Sequence, residues 1–220
     1  ASDESGITLR VEIPAPSLAP GRTPGRQRLG VGGLQVADEP GRPLLPYATA
    51  LVAIPPGARA VATLLPVEDE EVAEGVRLEV ARRPAFRTDE WDGSAVPTRE
   101  PVEPIADGRW PSAPVLVSEP YSWRGHRLVR VVAHPFTYDE AAARLWTRRR
   151  FDVRIEFAGA RPLTIAGVGA IATPDVAGRA VLERAVINSA QAAAWREAPL
   201  HARRMGAGAA DLLRAPASRP

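Results

Sequence analysis

Between Arg150 and Phe157 the side chains alternate without a fault. Phe151, Val153, Ile155 and Phe157 fall on one side, and Arg150, Asp152, Arg154 and Glu156 on the other. A period of two is that of a strand with one face in a core and one in water. Ile7 to Ile13 repeats it, with Ile7, Leu9, Val11 and Ile13 inward and Thr8, Arg10 and Glu12 outward. Arg127 to His134 is a β-branched run ended by Pro135, which has no N–H for a ladder, and Phe136 to Asp139 reads as a turn and return. Tyr47 to Ile54 is delimited by Leu45-Pro46 before it and Pro55-Pro56-Gly57 after it. Further runs cover Ala60 to Leu65, Val76 to Val80 and Val115 to Val117. The pattern predicts a mainly β fold over residues 1–157, an antiparallel, jelly-roll-like β-sandwich.

After Phe157 the character changes. Residues 158–172 are rich in Gly and Ala, and Thr173-Pro174 supplies an N-cap followed by proline at the first helical position. Val181, Leu182, Ala185, Val186, Ser189 and Ala193 fall at helical spacing. A C-terminal helix is therefore expected over about 175–197, inside a connecting segment 158–200. The Ala, Gly, Arg and Pro-rich residues 201–220 read as a flexible linker. Three stretches lack a period. Pro14 to Arg28 reads as a long surface loop, and Val67 to Glu71 as a solvated acidic loop without the Asp spacing that surrounds calcium. Arg82 to Pro114 holds six prolines and the aromatics Phe86, Trp91 and Trp110. A loop of this length is usually functional or disordered, and two readings stay open: a flap covering the sandwich, or a partner-binding loop.

With 220 residues the chain can bury a core without staples. Cysteine is absent, which removes disulfides, thiolate metal sites and any cysteine nucleophile within this chain. All 28 basic residues are Arg. They are unevenly placed: 12 Arg stand against 18 acids up to residue 119, and 16 against 8 beyond it, balances of −6 and +8 that can steer a partner. No run of ~18 apolar residues exists to span a membrane. The chain opens at Ala1-Ser2-Asp3 with neither initiator Met nor signal peptide, which is expected of a processed or trimmed chain.

Candidate chemistry is thin. His126, His134 and His201 show no paired metal-ligand spacing, and His134 reads as a hydrogen-bonded structural histidine at a strand end. Ser122, His126 and Asp139 lack the GxSxG elbow. Gly30-Val31-Gly32-Gly33 precedes no helix and lacks the Lys-Ser/Thr of a phosphate loop. Arg148-Arg149-Arg150 runs into a strand that turns successive side chains to opposite faces, a solvated strand end and not a nucleic-acid patch. No catalytic residue, metal ligand or cofactor site is assigned.

Two segments carry a resemblance. Gly41, Pro43, Leu45-Pro46, Ile54-Pro55 and Gly57 in the first, then Arg124-Gly125, Pro135 and Tyr138 in the second, stand in the order and spacing of a known pattern. Over residues 7–197 the chain resembles the N-terminal propeptide of the gingipain family of caspase-like cysteine peptidases. Glu183 to Arg196 is similar to the segment joining such propeptides to the next domain. The resemblance implies a non-enzymatic, inhibitory and folding-assisting propeptide of a secreted cysteine endopeptidase, exported by a signal peptide outside this sequence. The partner it implies is the catalytic domain located after it in the same precursor. Inhibition would be by occlusion: a loop lies across the cleft and a basic side chain fills the specificity pocket. The candidate loop is Arg82 to Arg109, with Arg87, Arg99 and Arg109 as candidate pocket-fillers; Arg203, Arg204 and Arg214 are candidate processing sites. A second reading stays open beside it, a non-catalytic adhesion or carbohydrate-binding sandwich of a multidomain surface protein, with Trp91, Trp110 and Trp123 as a stacking platform.

Overall fold

The two alternating segments are neighbours in one sheet. In the computed structural model, which describes residues 2–3, 5–85, 98–105, 107–159 and 176–195, Ile7 stands opposite Ile155, Leu9 opposite Val153 and Val11 opposite Phe151. The strands in chain order are β1 (Ser2–Asp3), β2 (Gly6–Glu12), β3 (Ser17–Pro20), β4 (Gln27–Gly30), β5 (Gln35–Val36), β6 (Pro46–Ile54), β7 (Arg59–Leu64) and β8 (Glu70–Glu74). Then come β9 (Arg83–Ala85), β10 (Thr98–Glu100), β11 (Arg109–Trp110), β12 (Val115–Val117), β13 (Tyr121–Trp123), β14 (His126–Ala133), β15 (Phe136–Asp139), β16 (Arg144–Thr147) and β17 (Arg150–Ala158). Helices α1 (Val176–Ala185) and α2 (Ser189–Ala194) close the described chain.

The sheet β1-β2-β17-β7 faces the sheet β12-β14-β6-β5, and β13 also pairs with β14. Between them Val52, Ile54, Val129, Val153 and Ile155 are fully buried, with Phe151 and Phe157 beside them. Each such side chain contributes roughly 1.5–3 kcal/mol through burial, which is why a strict alternation is enough to build this half. The outer face of β17 stays wet, with Arg10 on Asp152 at 3.0 Å and Arg150 on Glu12 at 3.0 Å. The expected antiparallel sandwich is present, and the fold is mainly β.

A third sheet, β11-β15-β16-β8, and the β3–β4 hairpin enclose a second core of Leu29, Leu45, Leu78, Phe136, Tyr138 and Leu145. Here four expectations are corrected. Pro14 to Arg28 is no plain loop but carries β3 and the start of β4. The acidic loop is half strand: Glu70–Glu74 pairs with β16, because that strand offers both a ladder and cations, Arg144 to Glu71 and, just beyond it, Arg148 to Asp69 at 2.7 Å. Conversely Val76 to Val80 forms no strand, only single bridges from Leu78 to Gln27 and from Val80 to Pro43. Arg82 to Pro114, read as one long loop without a period, contains β9, β10 and β11.

The single C-terminal helix is also corrected. Val186, Ile187 and Asn188 leave the helical path between α1 and α2 because the edge of β6 beyond β5 offers unpaired backbone groups, and an edge left open is a liability. Val186 bridges Leu51, and the Ile187 N–H donates to the Leu51 carbonyl at 3.0 Å. The Asn188 side chain acts as a surrogate strand residue, its Oδ1 accepting from the Ala53 N–H at 2.8 Å and its Nδ2 donating to the Ala53 carbonyl at 2.9 Å. Leu182, Val186 and Ala192 thereby pack on Ala53 and Leu128. Thr173-Pro174 and the linker 201–220 lie outside the described residues.

Candidate interaction site

The long proline-rich excursion leaves the second layer at Ala81 and returns at Ile105. β9 and β10 pair Arg83 with Glu100 and Ala85 with Thr98, so two extended legs flank residues 86–97, which lie outside the described set. Arg87 is among those, as are Phe86 and Trp91. Arg99 stands on the returning leg, with Nη2 3.3 Å from Asp38 and both side chains more than half exposed. Arg109, just past the legs, lies over the Trp146 ring at 3.9 Å and 3.8 Å from Asp69. The two side chains are about equally exposed, 54% and 55%, but the Arg109 guanidinium stacks on the sheet, whereas among the described residues Arg99 has one exposed, weakly bound partner.

The residues that carry the resemblance stand at turns and closures of the fold, and Gly41 and Pro43 stand beside the excursion. Gly41 is buried at φ +83, where a Cβ would sit 3.0 Å from Ile105 Cδ1 and 3.3 Å from the Glu103 carbonyl, so only glycine fits. Its N–H donates to the Ala81 carbonyl at 3.0 Å, the Ala81 N–H donates to the Arg42 carbonyl at 2.8 Å, and the Ile105 N–H donates to the Gly41 carbonyl at 2.9 Å. Pro43 meets Val80, Leu45 enters the second core, and Pro46 opens β6 opposite Val36. Pro55 and Gly57 turn the chain from Ile54 into β7, the Ala58 N–H donating to the Pro55 carbonyl at 3.1 Å. Arg124 and Gly125 are both left-handed, at φ 49 and 82, the two-residue turn whose twist matches the β13–β14 hairpin. Pro135 ends β14, and its carbonyl accepts the Arg148 N–H at 2.7 Å. The Tyr138 hydroxyl donates to the Val76 carbonyl at 2.8 Å and accepts from the Leu78 N–H at 3.3 Å; burial pushes its pKa up to about 12. Arg203, Arg204 and Arg214 lie outside the described residues.

Two buried polar residues that no periodicity marks hold the chain, Glu79 beside the excursion and Asn188 at the edge of β6. Glu79 is 5% exposed and accepts from the Arg22 N–H at 2.6 Å, the Thr23 N–H at 3.2 Å and the Thr23 hydroxyl at 2.6 Å. Burial raises its pKa, but the hydrogen bonds from Thr23 and Arg22 and the charge of Arg82 outweigh that and hold it below the ordinary glutamate range. Asn188 is the other. Neither was legible, since a lone Glu between Leu78 and Val80 looks like the wet face of a strand. His134 is buried beside Tyr47, ring centroids 6.1 Å apart; its backbone N–H donates to the Pro114 carbonyl at 2.8 Å, while its ring Nε2 has no partner among the described residues. Burial pulls its pKa down and favours the neutral ring.

The remaining candidates are dispersed. His126 Nδ1 meets the Ala192 carbonyl at 3.1 Å, so a helix turn orients the ring, and Asp139, in a different sheet, accepts the Ala142 N–H at 2.9 Å. Trp110 packs on the second core and Trp123 on the cluster of Ala53, Leu128 and Leu182, so these two form no common stacking platform. Among the described residues no group of three His, Asp or Glu could hold a metal ion, and no helix is long and apolar enough to cross a membrane.

A β-sandwich fused to a second β layer, with a braced excursion on its side, defines the class of module. No family model matches the chain, and no curated protein matches it. Solved structures do. A chain from the complex of the pro- and mature domains of RgpB from Porphyromonas gingivalis matches with a TM-score of 0.66 and 15% identity, over 86% of this chain and 95% of that one. A structure bearing on the zymogenic latency of gingipain K, from the same organism, matches with a TM-score of 0.56 and 19% identity, over 71% and 88%. The chain has a gingipain propeptide-like fold.

Proposed function

We propose that this chain is the inhibitory and folding-assisting propeptide of a secreted gingipain-like cysteine endopeptidase, keeping the catalytic domain of the same precursor latent until it is cleaved. The observation that supports this most is coverage: the likeness spans nearly the whole of a chain taken from a complex of pro- and mature domains. Inhibition is by position, with the excursion between Arg82 and Arg109 in the cleft and one basic side chain in the specificity pocket. Of the described candidates Arg99 is the freer to reach a partner, since Arg109 is stacked on Trp146; Arg87 is the third. Release comes with cleavage near Arg203, Arg204 or Arg214.

The test is titration of the catalytic domain with this chain and with Arg87→Ala, Arg99→Ala and Arg109→Ala separately. The unmodified chain is expected to inhibit at micromolar concentration or below. Loss of the pocket-filling arginine weakens inhibition by about 30-fold or more, equivalent to about 2 kcal/mol, whereas loss of a rim arginine weakens it less than about fivefold. Absence of inhibition by the unmodified chain overturns the proposal. Equal inhibition by all three variants overturns the choice of loop alone. For the folding role, catalytic domain refolded with the chain present should recover more activity than without it.

A further inference from the structure

The turn formed by residues 38–42 meets both legs of the excursion. Its backbone lies between them, Gly41 and Arg42 bonding Ala81 on the outgoing leg and Gly41 bonding Ile105 on the returning one. Its side chains reach further. The Arg42 guanidinium stacks over Trp110 at 4.2 Å, pairs with Asp107 and lies 3.8 Å from Glu39, with only 14% of its side chain exposed. Asp38 takes Arg99 from β10. Turn residues separated from the legs by about 40 or more positions thus hold the excursion at Ala81 and Ile105 and, just beyond its return, hold the chain at Asp107 and Trp110.

We propose that the turn 38–42 is a positioning clamp, with Arg42 as its central residue, that holds the two legs in one orientation and thereby sets how tightly the excursion binds a peptidase cleft. The second half rests on the propeptide reading above. A segment fixed before binding loses less freedom on binding, so the clamp acts on affinity without contributing a pocket-filling group. Arg is suited to the position and Lys is not, because the planar guanidinium stacks on an indole face while donating in its own plane to a carboxylate.

Hydrogen exchange on the whole 220-residue chain, needing no peptidase, tests the clamp. Arg42→Ala and Arg42→Lys should speed exchange about tenfold at the amides of 83–85 and 98–105, the scale of one lost charge-assisted hydrogen bond, and leave β14 and β17 unchanged. Because Arg42→Ala could unfold the second layer, Asp107→Asn serves as the milder probe; it removes the partner's charge and leaves the Arg42–Trp110 stack, and should show the same pattern more weakly. The reversed pair, Arg42→Asp with Asp107→Arg, should recover part of the protection. Titration of the catalytic domain should then show about tenfold weaker inhibition by Arg42→Ala, mostly in faster dissociation. Unchanged exchange in the legs, or a rise spread evenly over β14 and β17, overturns the clamp. Faster exchange with unaltered inhibition overturns its role in affinity. If the unmodified chain fails to inhibit, the propeptide reading falls with that second half, and exchange alone decides the clamp.

Discussion

The sandwich and the layer beside it hold their chains in different ways. Between β2–β17–β7 and β6–β14–β12 the buried side chains are aliphatic or aromatic, and the ladders satisfy the backbone groups. The second core is as apolar, but part of the chain around it runs without a ladder, notably 21–26 and 76–80. Buried backbone donors and acceptors there still need partners, so side chains supply them. Glu79 receives the N–H groups of Arg22 and Thr23, the Tyr138 hydroxyl bridges Val76 and Leu78, and Arg26 reaches the Leu78 carbonyl while pairing with Glu140 at 3.0 Å. Regular pairing makes a region tolerant in its polar positions and dependent on volume. Irregular pairing reverses that dependence.

Volume is therefore where the sandwich breaks. Ile155→Ala should cost about 2–5 kcal/mol, because Ile155 is fully buried and faces packed neighbours on the opposite sheet. Chemical denaturation reads this directly, and a cost under ~1 kcal/mol would show a core able to collapse around the void. In the second layer a change that keeps volume should still hurt. Glu79→Gln retains the shape but loses the charge that three donors converge on, for an expected cost of about 1–3 kcal/mol. A neutral outcome would mean that the 21–26 loop is held by its own turns.

This difference also decided what could be read in advance. The alternations at 7–13 and 151–157 revealed the sandwich sheet because a half-buried strand writes its geometry into every second residue. Val76 to Val80 alternates too, yet makes only isolated bridges, since a strand needs a neighbour in register and periodicity does not report one. Val67 to Glu71 erred the other way: its acids are exposed as expected, but Glu70 and Glu71 stand on a strand because β16 offers a ladder and Arg144 meets Glu71. The positions Gly57 and Arg124-Gly125 were legible as turns, but Gly41 stood out only through the resemblance, and that it faces Ile105 is a relation across 64 residues that no local pattern carries. Asn188 was hidden inside a helical spacing that held on both sides of it.

Asn188 permits a smaller break, at the boundary of the sandwich. Asn188→Ala leaves the Ala53 N–H and carbonyl without their partner on the edge of β6, at an expected cost of about 1–2 kcal/mol. Hydrogen exchange should rise at Leu51 to Ala53 and through α1 and α2, while β17 stays protected. Uniform loss of protection would show instead that the helices and the sandwich unfold as one unit.

The smallest effect sharpens the comparison by pH. His134 stands where one region passes into the other, at the end of β14 and two residues before Phe136 of the second core. Burial pulls its pKa below the ordinary histidine value, so the unfolded chain takes up a proton near about pH 6.5 and the folded chain only at lower pH. Between those two values the unfolded state holds more protons, and stability must fall as pH falls. Above about pH 6.5 nothing is lost from this source. Glu79 and Asp152 also have lowered values, but as carboxylates their contributions remain full until the pH drops below about 4.5. The two sources thus separate along the pH axis. His134→Gln should flatten the stability curve from neutral pH down to the carboxylate region and leave the steeper acid limb below it, whereas Glu79→Gln should weaken that limb and leave the upper slope. Denaturation midpoints measured at intervals from about pH 8 to about pH 3 decide it, and an upper slope that survives His134→Gln would show that His134 is solvated well enough to titrate normally.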